Sequence, residues 1–143
     1  MKKKVLVAAM LATAVLALAL AGCGTPVSEV DKSVKEGLPA WADEAAVTAQ
    51  ALEVIEDVNA RDFKAVAERW NDAAITAEKL EQSIGAGLDK LGAFKGYGDV
   101  SFLQGDADGR SYATVVQVVE YENAEDPVRV SFYEDGSMAG FFM

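Results

Sequence analysis

The apolar residues of this chain change their period once, near Phe94, and that change limits the folds open to it. Before Phe94 they recur at helical spacing; after it they alternate or run as β-branched and aromatic stretches. A helical half followed by a strand-rich half, in a chain of 143 residues, predicts one α+β domain. The domain has little covalent help. There is one cysteine, Cys23, and no histidine. A disulfide within the chain is excluded, as are His-dependent triads, His metal sites and His proton shuttles.

The amino terminus predicts where the domain works. Lys2, Lys3 and Lys4 precede an apolar run, Val5 to Ala21, in which Thr13 is the one polar residue. The charged start orients insertion and the apolar run partitions into a bilayer. Leu20-Ala21-Gly22-Cys23 resembles the lipobox of bacterial lipoproteins. The resemblance implies cleavage between Gly22 and Cys23 and a diacylglyceryl group on the Cys23 thiol, with the body held at the extracytoplasmic face of the cell membrane. The alternatives are an ordinary signal peptide or an uncleaved anchor, for which 17 residues fall short of the roughly 20 that span a bilayer. The expected organisation is a signal peptide over 1–22, a lipidated tether over 23–37 and a folded domain over 38–143. Residues 24–37 are polar, carry both charge signs and lack helical periodicity. As a coil they span roughly 20 Å.

Charge narrows the partners. Losing residues 1–22 removes three lysines and no acid, taking the net charge from -10 to -13. A body this acidic repels nucleic acid and anionic headgroups, so no nucleic-acid partner is expected; its contact with the membrane is through the lipid.

Within the domain, Pro39 suits a first helical turn. Trp41, Ala45, Leu52 and Ile55 form one stripe, and Val47, Ala51, Val54 and Val58 a second beside it. Asn59-Ala60-Arg61 breaks the pattern, and Asp62 is placed to cap a short second helix carrying Phe63, Val66, Ala67 and Trp70. Thr76 is placed to cap a third, with Leu80, Ile84, Leu88 and Leu91 inward and Gly92 at its end. Gly85 and Gly87 inside it permit close packing or a bend, or simply weaken the helix. Strands are expected over Val100–Gln104, Arg110–Tyr121, Val128–Tyr133 and Met138–Met143. Turns are expected at Asp106-Ala107-Asp108-Gly109 and Glu134-Asp135-Gly136-Ser137, and a loop over Asn123–Pro127. The first turn has the opening of a calcium loop but lacks its later ligands, so no metal site is expected.

The segments NARDFKAVAERWN, TAEKLEQSI, LGAF, VVQVVEYEN and VRVSFYEDGSMAGFFM together resemble a family of small bacterial domains of unknown function. That family lies within the nuclear transport factor 2-like, or cystatin-like, superfamily. The resemblance covers about residues 40–143 and implies a curved antiparallel sheet wrapping the helices into a cone. The paired glycines of the third helix depart from it, since a larger apolar residue is common there. Relatives use the cone as an enzyme pocket, a ligand pocket or a protein-docking surface, so fold alone does not choose the function.

Site residues follow from chemistry. Gln117 is a polar amide interrupting the run Thr114–Val119 and is a candidate ligand contact, with Trp70 and Tyr112 beside it in the expectation. Glu120 is the carboxylate set within a strand pattern, the weak candidate for catalysis by a buried acid. Arg110–Tyr121 is apolar on both faces, and helices cover one; a homodimer or an envelope protein docking on the other is expected, unless remaining strands and chain ends cover it. The leading expectation is a lipid-anchored, non-catalytic module without a cofactor, binding a small ligand of unknown identity or another envelope protein. The alternatives are a cofactor-free pocket enzyme, or a structural accessory to a transporter or wall enzyme.

Overall fold

A computed structural model describes residues 34–143. Gly22, Cys23, the apolar leader and most of the expected tether lie outside the described residues. Among the described residues no helix is long and apolar enough to cross a membrane.

Helix α1 spans Glu44–Asn59. Asp43 caps it, its carboxylate accepting from the Ala46 amide at 2.9 Å, and Glu44 complements the positive end of the helix. The expected start at Pro39 is corrected. Pro39–Ala42 is a separate turn, closed by the Ala42 amide donating to the Pro39 carbonyl at 3.0 Å. Asp43 supplies a side-chain acceptor to an orphan N–H, which Pro39 cannot do. The buried stripe is also narrower than expected. Val47, Ala51, Val54, Ile55 and Val58 face the core, while Ala45 is exposed and Leu52 half-buried. Trp41 stays in the turn and pins it to the sheet, its Nε1 donating to Ser111 Oγ at 3.3 Å.

Helix α2, Phe63–Glu68, is capped by Asp62, and helix α3, Ala77–Leu91, by Thr76; Gly92 ends α3 at φ 81°. Leu80, Ile84 and Leu88 form the inward stripe of α3. A side chain at Gly85 would meet Arg61 at an ordinary 3.6 Å, and one at Gly87 would meet nothing within 4 Å. Close packing therefore does not account for the pair, and of the three expectations for these glycines a weakened helix fits best.

Five strands follow one another in the sheet as in the sequence, each antiparallel to the next: β1 Lys35–Glu36, β2 Phe94–Ala107, β3 Arg110–Tyr121, β4 Glu125–Tyr133 and β5 Met138–Phe142. This is the expected α+β class with a curved antiparallel sheet. Three details differ from expectation. There are five strands rather than four, because Lys35 and Glu36, expected in the tether, pair with Gln104 and Leu103. Strand β2 begins at Phe94 rather than Val100. Its first half is broken by two register shifts, between Phe94 and Gly96 and between Tyr97 and Val100, and such bulges erase the two-residue alternation that marks a strand in sequence. Finally, the expected loop over Asn123–Pro127 is mostly strand. Pro127 pairs with Val118 on one side and lies beyond the last pair with β5, Arg129 with Phe142, so no ladder bond there asks for its N–H.

Both expected turns form. Asp108 and Gly109 both take positive φ, 53° and 75°, as a two-residue hairpin turn requires. At the other, the Asp135 carboxylate accepts from the Ser137 amide at 2.9 Å and from Arg110 at 2.9 Å. Arg110 also lies over the Tyr133 ring, 3.8 Å from its centre.

Helix α1 packs across β3 and β4. Val54, Ile55, Val58 and Val66 from the helices meet Val115, Val119, Val128, Val130 and Phe132 from the sheet, all essentially without solvent exposure. Each such side chain contributes about 1.5–3 kcal/mol by leaving water. The concave side of the sheet is thus filled where the helices cross it.

Candidate functional site: the free edge of the sheet

The residues singled out from sequence do not converge. Tyr112 and Gln117 lie on opposite faces of β3, five residues apart. Trp70 follows the end of α2, half-buried against the core. Glu120 is exposed on the face of β3 away from the core, opposite Gly96.

Gln117 faces the core and is 4% exposed. It touches the backbone of its own sheet. Nε2 donates to the Gly98 and Val118 carbonyls, both at 2.9 Å, and lies 3.4 Å from the Asp99 carbonyl. Gly98 and Asp99 form the second bulge of β2, where the ladder to β3 is interrupted and carbonyls lose their partners. Gln117 satisfies them, as a buried carbonyl requires. The amide read as a ligand contact is therefore a brace for an irregular strand.

That brace sets what β2 presents. From Phe94 to Ser101 every residue but half-buried Gly96 is exposed. Large apolar side chains are among them: Phe94 at 43%, Tyr97 at 37% and Val100 at 42%, with Phe142 as the one other exposed large apolar residue among those described. The rings are organised. Phe94 and Tyr97 stand 5.1 Å apart, tilted by 57°, and Phe94 meets Tyr121 edge-on at 6.4 Å. This stretch is also a sheet edge. Strand β1 covers only Leu103 and Gln104, and the Gly37 amide takes the Phe102 carbonyl at 2.9 Å. Among the described residues no strand lies beside Phe94–Ser101. At the opposite edge β5 is short, and its first amide, Met138, donates to the Arg69 carbonyl at 2.9 Å.

Acidic groups surround the edge. Pairing aligns Tyr97, Val119 and Asp126 in one row. Asp126 Oδ2 is shut off from solvent without a hydrogen-bond partner, and this desolvation holds the carboxyl above its usual range. Tyr121 Oη donates to Asn59 Oδ1 at 2.9 Å. Burial, then the nearby Asp126 charge, push the Tyr121 phenol up to about 12. Tyr97 is raised too, by burial and by Glu56 on α1. Glu120 reaches toward Gly96, and the Ala93 amide donates to Glu122 Oε2 at 3.4 Å.

The sequence did not lead to Asp126, Phe94 or Tyr97. Asp126 sits in a stretch that Pro127 disguises as a loop. Phe94, Tyr97 and Val100 are spaced by three within glycines and charges, a signal that a search for alternation passes over.

Two surface depressions lie elsewhere. One, of about 470 Å³, is bounded by Gly109, Arg110, Ser111, Glu134 and Asp135 between the two tight turns. The other, of about 360 Å³, runs past Lys64, Glu68, Trp70 and Asn71. Neither receives Asp126 or Gln117. No three acidic side chains among the described residues gather as a metal site.

The outer face of the sheet, expected to receive a partner unless strands and chain ends cover it, is partly covered by itself. The Tyr112 ring lies over Gly105, where an added Cβ would collide with its Oη. Phe142 lies against Gly140, and Thr114 Oγ1 and Ser131 Oγ share a hydrogen bond of 2.6 Å. Val116 and Val118 are half-buried and Phe142 keeps 67% exposure.

Comparison with known proteins gives a family and a fold. The family described as "Protein of unknown function (DUF3887)" matches residues 51–141. A solved NMR structure of a protein from Ruminococcus gnavus is similar over 77% of this chain and 98% of its own, with 28% identity and a TM-score of 0.69. No curated protein matches.

Proposed function

Since the chain belongs to the DUF3887 family, for which no function is stated, we propose from its surface that it is a non-catalytic docking module for another envelope protein. A Cys23 lipid anchors it at the extracytoplasmic face of the membrane. The reading extends the family's likeness to the nuclear transport factor 2-like superfamily. One observation carries the docking: Phe94, Tyr97 and Val100, exposed large apolar residues, are gathered on one free strand edge. Solvent-exposed rings held in fixed geometry are typical anchors of protein interfaces. Where the helices cross the sheet its concave side is filled, which favours a surface partner over an enclosed small ligand.

The enzyme alternative passes from Glu120 to Asp126, whose carboxyl is raised and half-hidden. Its shielded oxygen lines neither of the two surface depressions, which supports the non-catalytic reading.

A photo-crosslinking side chain placed at position 97 in living cells tests the docking. A discrete adduct with an envelope protein is expected from position 97 and none from exposed Ser83 on α3. Equal labelling from both, or none from either, removes the reading. Mass spectrometry of the native protein tests the anchor: acyl chains on Cys23 and loss of residues 1–22 are expected, and a bare sulfur with the leader attached refutes it.

A further inference from the structure

We propose that the edge of β2 from Phe94 to Ser101 accepts an extended, basic segment of a partner protein as an added strand. This rests on the docking reading and names the chemistry of the partner.

Three observations carry it. The first is hydrogen bonding. An edge strand offers a row of N–H and C=O groups on its open side, and extended peptides bind such edges by continuing the ladder. Here β1 covers two residues of a fourteen-residue strand, and the stretch from Phe94 to Ser101 has no neighbour on that side among the described residues. The second is apolar surface. Phe94, Tyr97 and Val100 are exposed on this stretch, where side chains of an added strand would lie beside them.

The third is charge. Glu56, Asp99, Glu120 and Glu122 stand on or beside the stretch, and Lys95 is the one basic residue within it. The ion pairs among the described residues, which join Arg61 to Asp89, Lys64 to Glu68, Arg69 to Glu53 and Asp57, and Arg110 to Asp135, engage none of these four acids. Lysine or arginine on the incoming segment would complement them and speed its capture. The same charge disfavours a second copy of this chain, at -10 over its full length, as the occupant. The bulges bend the edge, so the added strand is short, and Gln117 already holds the Gly98 carbonyl inward.

The test uses the full-length, ¹⁵N-labelled protein and three blocked seven-residue peptides. One alternates lysine with valine; one replaces each lysine by glutamate; one keeps the lysines but carries N-methyl groups on alternate backbone nitrogens. The lysine peptide is expected to shift the amide signals of Lys95–Ser101, slow their hydrogen exchange, and bind at least about tenfold more weakly at high salt. The glutamate and N-methylated peptides are each expected to lose at least about tenfold in affinity. Asp99→Lys, an exposed substitution, is expected to weaken the lysine peptide alone. Equal binding of the glutamate peptide overturns the basic partner. Equal binding of the N-methylated peptide overturns strand addition. Shifts confined to Tyr112 and Phe142 overturn the location. In the first two cases a crosslink at position 97 still upholds docking, so the two proposals fail separately.

Discussion

The Gln117 amide nitrogen stands 2.9 Å from the Gly98 carbonyl oxygen, and this bond joins the longest run of buried strand to the bulge that follows Tyr97. Gln117→Leu fills similar space but leaves the Gly98 and Val118 carbonyls without that donor. A loss of about 1–3 kcal/mol is expected, read as a lower urea midpoint. Amide exchange at Gly96–Val100 should accelerate more than exchange in β4.

Tyr121 and Asn59 form a second long-range tie, from the end of β3 to the last residue of α1, at 2.9 Å. Tyr121→Phe and Asn59→Ala should each cost about 1 kcal/mol, and the double variant less than their sum, because one bond is lost in either case. In an ultraviolet titration Tyr121 should ionise near its raised value of about 12. Its contribution is then full below the ordinary 10.0 and is lost as pH climbs through the raised value.

Asp126 works against the fold at neutral pH. Its folded carboxyl is held above the ordinary 3.8 by burial, so the folded state binds the proton more tightly than the unfolded chain. The stabilisation is complete below 3.8 and disappears as pH rises through the folded value. Asp126→Asn, which cannot ionise, should therefore be more stable than the parent at pH 7, with the difference shrinking toward pH 3. Thermal unfolding of the pair across that range checks the sign.

Two glycine substitutions should have opposite effects. Gly87→Ala adds a methyl group into open space on α3 and should stabilise by about 0.5–1 kcal/mol. Gly105→Ala drives a methyl group into the Tyr112 ring and should destabilise by about 1–3 kcal/mol. Adding Tyr112→Leu should recover part of that loss, and calorimetry of the three variants separates the cases.

Most of the architecture was legible because its signals are local. Asp62, Thr76 and Gly92 act where a cap is needed, Asp108-Gly109 turns where positive φ is needed, and β3 runs from Arg110 to Tyr121 as its β-branched and aromatic composition indicates. The illegible parts depend on neighbours distant in sequence. Lys35–Glu36 is too short to announce itself and exists as a strand through Gln104 and Leu103. Phe94–Asp99 is strand by virtue of pairing that bulges have already disrupted. The candidate site suffered for the same reason. Gln117 stood out correctly as an odd residue, but the bulge carbonyls it reaches lie 19 and 18 positions away.

The meander has a kinetic corollary. Each of β3 through β5 joins the strand made just before it, across connections of two to four residues. Loop closure for such hairpins is rapid, and few distant segments must meet before the sheet gains stability. A chain emerging from its amino terminus can assemble these strands one hairpin at a time, and β5, Met138–Phe142, is the last of the five to join. Clipping those final residues would leave a sheet that begins to form normally and then fails to seal.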